Sequence, residues 1–350
     1  MSLRSRSRPF LSAVALAVLL AAGCSPDPGT QVDALFADYS GTDTPGAAVL
    51  VVRHGEKVLE RGYGVADLES GSRIDASTNF RLASISKQFT ATAIMLLVED
   101  GLLSLDTELR SLFPEFNGYA DGITIRHLLQ HQAGLPDYEP MVPEGATEQV
   151  RDDDVLAMMA SAEDGYFAPG TEYRYSNSGY AVLAMVVEKL SGRSFSSFLN
   201  DRIFSPLHMR HTVAFVAGEH ELENRALGYK VGEEGIEDAD QSLYSAVLGD
   251  GGVYSSLNDL YLWDQSLYTD AILPRAARAQ MLTPSLESYG LGWRIDRYRG
   301  HLRYHHSGST SGFRNFMQQF PEQQLTVLVL TNRAEPDVKS LAEKVGDLFL

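Results

Sequence analysis

Two apolar, β-branched runs lie near opposite ends of this chain, and any fold it adopts must bury both. Residues 47–53 read Ala-Ala-Val-Leu-Val-Val-Arg, and residues 324–331 read Gln-Leu-Thr-Val-Leu-Val-Leu-Thr. Runs of this length and composition make strands. Glu56–Tyr63 follows the first run after a His54-Gly55 turn, which predicts a hairpin. Tyr289–Arg297, His301–His305 and Phe313–Phe320 are strand-like and lead into the second run. The stretch between is helical in pattern at Ser84–Asp100, Ile125–His131, Val150–Ser161, Ser178–Leu190 and Leu257–Leu267. Shorter helices are expected at Gln31–Tyr39 and Leu341–Leu350. Strands at both ends with helices between predict an α/β (α+β) part, residues 46–83 plus 285–350. A mainly helical part over 84–284 is inserted into it.

Composition narrows the function. The 350 residues are 44% hydrophobic, which is globular rather than disordered. A formal net charge of −17 argues against a nucleic-acid partner, which needs a basic face. One cysteine excludes an intramolecular disulfide framework and a Cys-rich zinc site. Arg4, Arg6 and Arg8 precede an apolar stretch from Phe10 to Ala22, the pattern of a secretory signal. The lone Cys24 directly follows Leu20-Ala21-Ala22-Gly23, which resembles a bacterial lipobox. Residues 1–23 are therefore expected to be a lipoprotein signal, with lipid on Cys24 and residues 24–45 as a tether. The expected location is the membrane of an exported bacterial lipoprotein, facing the periplasm or the cell surface. Cleavage removes three Arg and no acid, which takes the formal charge from −17 to −20.

Ser84 sits where a helix starts, and Lys87 lies three residues on, about 60° around the same face. A hydroxyl at the positive end of a helix, beside an amine that can take its proton, is a candidate nucleophile. On its own the spacing reads better as an N-cap followed by a solvated lysine. Two further motifs change that reading. Tyr175-Ser176-Asn177 follows a Pro169-Gly170 turn and precedes a helix. Tyr175 can serve as general base, and Asn177 can bond Lys87 and a substrate carbonyl. His306-Ser307-Gly308-Ser309 lies between strand-like runs, where Gly308 lets a substrate backbone approach. The Ser309 N–H can complete an oxyanion hole with that of Ser84.

S-x-x-K, then Y-x-N, then H-S-G, in this order, resembles the serine β-lactamase-like superfamily. Class C β-lactamases, related carboxylesterases and low-molecular-weight DD-peptidases are most similar. Leu128–Pro136, Gly251–Ser255 and Tyr289–Trp293 support the resemblance, which spans roughly Ala47 to Arg333. It implies a β-lactamase/transpeptidase-like fold with an antiparallel sheet built from both chain ends and flanked by helices. It also implies roles: Ser84 as acylated nucleophile, Lys87 as its amine, Tyr175 as base, and Asn177 positioning Lys87 and substrate. His306, Ser307, Gly308 and Ser309 form the third motif. His306 stands where class C enzymes carry Lys, so carboxylesterase or D-Ala-D-Ala carboxypeptidase action is expected above dedicated β-lactamase action. An imidazole there is neutral or cationic near pH 7, so binding of anionic substrates is expected to depend on pH.

The expected partner is a small-molecule or peptide substrate: a D-Ala-D-Ala-type peptide, a small ester or a β-lactam. No metal or organic cofactor is implied, and oligomeric state is not legible. A penicillin- or cell-wall-peptide-binding lipoprotein that acylates with little turnover is the alternative. His305 and His306 are expected on opposite strand faces; His127 and His131 have the i,i+4 spacing of two ligands on one helix face, but the resemblance implies packing or helix-end residues instead. Trp263 and Trp293 are expected in the core, Asp259 as a structural residue, and acidic Glu219–Asp240 as a solvated loop.

Overall fold

The computed structural model describes residues 26–335 and 337–350. The expected signal segment, residues 1–23, and Cys24 lie outside the described residues. The two apolar runs become β1 (Ala47–Arg53) and β6 (Leu325–Thr331), paired antiparallel with Ala47 opposite Thr331 and Arg53 opposite Leu325. Adding β2 (Glu56–Tyr63), β3 (Arg294–Tyr298), β4 (His301–Thr310) and β5 (Phe313–Phe320) gives a six-stranded sheet of order β2-β1-β6-β5-β4-β3. Both chain ends therefore build one antiparallel sheet.

The runs are continuously apolar because both sheet faces are covered. Ala48, Leu50, Val52, Leu328 and Leu330 point into the main core. Ala47, Val49, Val51, Val327 and Val329 point the other way, against Val32, Phe36, Val338, Ala342 and Val345. Those residues belong to or flank α1 (Pro28–Leu35) and α6 (Val338–Asp347). Asp27 caps α1, its carboxylate accepting from the Gly29 N–H at 3.0 Å, with Pro28 at the first helical position. Within the span expected as a tether, Val32 and Phe36 are fully buried against this face.

On the main-core side, α2 (Lys87–Glu99) is buried from Lys87 to Leu97, all the way round. Against it pack α4 (Asn177–Ser191) and α5 (Leu257–Ser266), and α3 (Asp152–Ser161) packs on α4. A small sheet pairs Val253–Ser255 with Phe80–Arg81 on one side and Val213–Ala214 on the other. Trp263 and Trp293 are buried core residues. Asp259 is structural: its carboxylate accepts from the His211 N–H and the Thr212 hydroxyl, both at 2.8 Å. Within the acidic stretch the expected loop contains a hairpin, Tyr229–Gly232 with Gly235–Asp238.

Candidate active site

The expected helix start at Ser84 is a short 3-10 turn, Ala83–Ser86, which feeds α2. Ala83 adopts a left-handed φ of +52°, and this kink presents the Ser84 side chain at the helix entrance. The turn rests on β4 at Gly308. A Cβ at 308 would lie 2.0 Å from the Leu82 carbonyl oxygen, so only glycine permits this approach.

Lys87 is fully buried, and its ammonium has three partners: Ser84 Oγ at 3.2 Å, Asn177 Oδ1 at 2.9 Å and the Asp250 carbonyl oxygen at 2.7 Å. The two carbonyl oxygens can only accept, so Lys87 donates to both and turns its remaining position to Ser84. Asn177 is free for this because the cap of α4 is Ser176, whose Oγ accepts from the Gly179 N–H at 3.1 Å. The Asn177 amide donates to Glu139 Oε1 at 2.9 Å. Tyr175 packs its ring 5.0 Å from Lys87 Nζ, and its buried hydroxyl makes no hydrogen bond among the described residues. Ser84, Asn177, Glu139, Tyr138, Asp250 and Ser309 line one cleft of about 380 Å³.

Backbone alternation explains why Ser309 faces this cleft. The β3–β4 and β4–β5 hairpins each close over two residues, Arg299-Gly300 and Ser311-Gly312. Both fix the same register: residues 301, 303 and 305 bond toward β3, and 306, 308 and 310 bond toward β5. The peptide groups of Ser307 and Ser309 therefore turn to the β3 side. There the paired segment of β3 stops at Arg294, opposite His305. This leaves the Ser309 N–H on an open edge.

His306 departs from expectation. Its side chain is buried, with Nδ1 2.7 Å from the Ser307 carbonyl oxygen and Nε2 2.9 Å from Tyr289 Oη. A carbonyl partner requires a proton on Nδ1, so Nε2 accepts from Tyr289. Burial chiefly, with Lys87 and Arg294 nearby, holds its pKa down at about 3. Of the neutral and cationic states open to this imidazole, burial favours the neutral one, and the ring buttresses Tyr289. His305 points to the opposite face, toward Asp296 at 3.3 Å. His127 is a helix-end residue, its Nδ1 accepting from the Thr124 N–H at 3.2 Å.

Five residues of the site carried no motif signal. Glu139 and Tyr138 follow Leu135-Pro136-Asp137 in a loop, and Tyr138 donates to Asp250 Oδ2 at 3.2 Å. Asp250 is buried, and loss of hydration pushes its carboxyl up to about 6. Asp152, pushed up to about 8 by burial, accepts the Leu248 and Gly249 N–H groups and holds the Asp250 turn. Arg294 stacks over Tyr173, Tyr175 and Tyr289 and donates to Tyr173 Oη at 3.2 Å. No carboxylate lies within 4.0 Å of Arg294 among the described residues. With Ser307 and Lys339 it lines a neighbouring hollow of about 290 Å³.

A serine-lysine pair in this setting, on a sheet closed by both chain ends, defines a β-lactamase-like serine hydrolase. The chain belongs to the Beta-lactamase family, which it matches over residues 32–348. It is 31% identical over 309 residues to penicillin-binding protein 4* of Bacillus subtilis, covering 82% of this chain and 68% of that protein. It is 30% identical over 302 residues to a D-aminopeptidase of Cereibacter sphaeroides, covering 82% of this chain and 57% of that protein. The crystal structure of a penicillin binding protein from Bacillus halodurans superposes with a TM-score of 0.79 at 27% identity. That match covers 93% of this chain and all of the other.

Proposed function

We propose that the chain hydrolyses small amides or esters through a Ser84 acyl-enzyme, and that its substrates carry a free amino group. Tyr175, acting as its phenolate with the Lys87 ammonium beside it, takes the Ser84 proton and, as the phenol, returns it to the leaving group. The tetrahedral oxyanion rests on the Ser84 and Ser309 N–H groups, and water releases the acyl group. The observation that carries the substrate reading is the Lys87–Asn177–Glu139 chain of hydrogen bonds. It ties a cleft carboxylate to the nucleophile, where a substrate ammonium would find a partner. The relationship to a D-aminopeptidase supports this reading and favours D-residues. The relationship to a penicillin-binding protein supports a second reading, acylation by β-lactams with little turnover.

The test is hydrolysis of D-alanine p-nitroanilide, its N-acetyl analogue, a p-nitrophenyl ester and a chromogenic cephalosporin. Turnover of the free-amine substrate, lost in Ser84→Ala and weakened at least tenfold in KM by Glu139→Gln, is expected. Equal turnover of the acetylated analogue overturns the amine reading. Lasting label from a fluorescent penicillin, with no turnover of any substrate, favours the binder. We also propose that the mature chain is anchored through a diacylglyceryl group on Cys24. Mass spectrometry of the mature N-terminus tests this, and an unmodified cysteine refutes it.

A further inference from the structure

His131 does more than fill space. It follows the short helix Ile125–Leu129 and adopts a left-handed φ of +58°. That conformation brings both its carbonyl oxygen and its ring against the segment that carries Tyr175. The His131 carbonyl oxygen accepts from the Arg174 N–H at 2.9 Å. Its Nδ1 accepts from the Ser176 N–H at 3.1 Å. The Tyr173–Arg174 peptide before Tyr175 and the Tyr175–Ser176 peptide after it are therefore held by one residue. The imidazole centroid lies 4.3 Å from that of the Tyr175 ring. Tyr289 and Tyr180 close the far side at 4.5 and 5.1 Å.

The chemistry of the ring fits this task. Nδ1 can accept only while it carries no proton. Burial, reinforced by the Lys87 and Arg294 cations, keeps the imidazole neutral. Nε2 makes no hydrogen bond among the described residues, and His131 is not among the residues that line the cleft. An apolar residue would fill the same volume but would leave the Ser176 N–H without its acceptor.

We propose that His131 is a positioning residue for Tyr175: its carbonyl oxygen and Nδ1 clamp the backbone on either side, and its ring walls the phenol. The proposal rests on the reading of Tyr175 as the proton-transfer group.

The experiment is a double-mutant cycle on the full chain. His131→Phe, His131→Asn and Tyr175→Phe are measured singly, and His131→Phe again with Tyr175→Phe. The readout is kcat and KM for an activated p-nitrophenyl ester at high enzyme concentration. His131→Phe keeps an aromatic ring but loses the acceptor. It should lower kcat about 10- to 100-fold with KM within threefold. Asn places an oxygen where Nδ1 stood and tolerates positive φ, so His131→Asn should recover most of the loss. In the Tyr175→Phe background, His131→Phe should cost less than about threefold.

Equal losses in both backgrounds, while Tyr175→Phe is itself impaired, overturn the clamp alone. An unimpaired Tyr175→Phe overturns the reading of Tyr175 and the clamp with it. A folded His131→Phe with normal kcat also overturns the clamp. Where the Phe variant does not fold by circular dichroism, His131→Ala, which also lacks the acceptor, takes its place in every comparison.

Discussion

Replacing Gly308 by alanine tests whether β4 is pressed against the nucleophile turn. The new Cβ would lie 2.0 Å from the Leu82 carbonyl oxygen and 3.3 Å from the Ala83 Cβ. Ordinary contact begins near 3.4 Å, so strand and turn must separate by about 1.4 Å in a close-packed interior. The obstacle is backbone on both sides, which cannot swing away as a long side chain would. Overpacking of this kind costs about 1–3 kcal/mol of stability. The larger effect falls on chemistry. Ser84 and the Ser309 N–H sit on the two elements driven apart, and a misplacement near 1 Å costs about 100-fold in rate. Gly308→Ala should therefore fold with a lowered Tm and react with a fluorescent penicillin about 100 times more slowly. Gly179→Ala is the control, because its Cβ meets Leu128 O at an ordinary 3.5 Å within a helix. There alanine should hold or raise Tm by favouring the helix. A Gly308→Ala protein with unchanged Tm and unchanged acylation rate refutes the contact between β4 and the Ser84 turn.

Three further outcomes follow from the buried charges. Lys87→Met leaves Asn177 Oδ1 and the Asp250 carbonyl oxygen without their donor, so Tm should fall and labelling by fluorescent penicillin should drop at least 100-fold; normal labelling would contradict the Ser84–Lys87 pairing. Asp250 is raised to about 6 by burial, so the folded protein holds this proton more tightly than the unfolded chain. Its destabilisation is absent below about pH 4 and complete above about pH 6, on the order of 3 kcal/mol. Measured as the Tm difference from Asp250→Asn, wild-type stability should decline across that window, and a flat difference would refute the assignment. His306, held down at about 3, should show no titration between about pH 5 and pH 8 by NMR and should carry its proton on Nδ1. A ring signal titrating near 6.5 would restore the cation that burial removes.

How much of this site can be read along the chain depends on whether one element carries the residues. Ser84 and Lys87 share one turn of helix, so spacing alone places them on one face. Tyr175, Asn177 and Ser309 become readable only as an ordered set with that pair. The strand expected from Tyr289 to Arg297 shows where a pattern misleads. Gly292, at φ +78°, packs against α2, and a Cβ there would sit 2.7 Å from the Lys87 carbonyl oxygen. The regular strand begins only at Arg294, past that contact. Conversely, β4 runs to Thr310 through the polar Ser307-Gly308-Ser309 because its ladder to β5 sustains it. Glu139 and Arg294 have no spacing relation to any motif. Long-range packing alone brings them to the site.

The same distinction explains why His306 misleads. A histidine between strand-like runs gives no sign of burial, and burial decides its charge. Once Tyr289 and the Ser307 carbonyl oxygen hold both ring nitrogens, the imidazole is neutral and directed inward. Lys87 spends its hydrogens on Ser84, Asn177 and Asp250. The carboxylate of Glu139, by contrast, lines the cleft beside Ser84. The hollow beyond Ser307 sets Arg294 among residues that include Glu287 and Asp296, whose carboxylates oppose a substrate anion. Recognition of an ammonium needs only Glu139, already tied through Asn177 to the reacting pair. N-acetylation removes the ammonium and C-terminal amidation removes the carboxylate, so the two modifications separate their contributions.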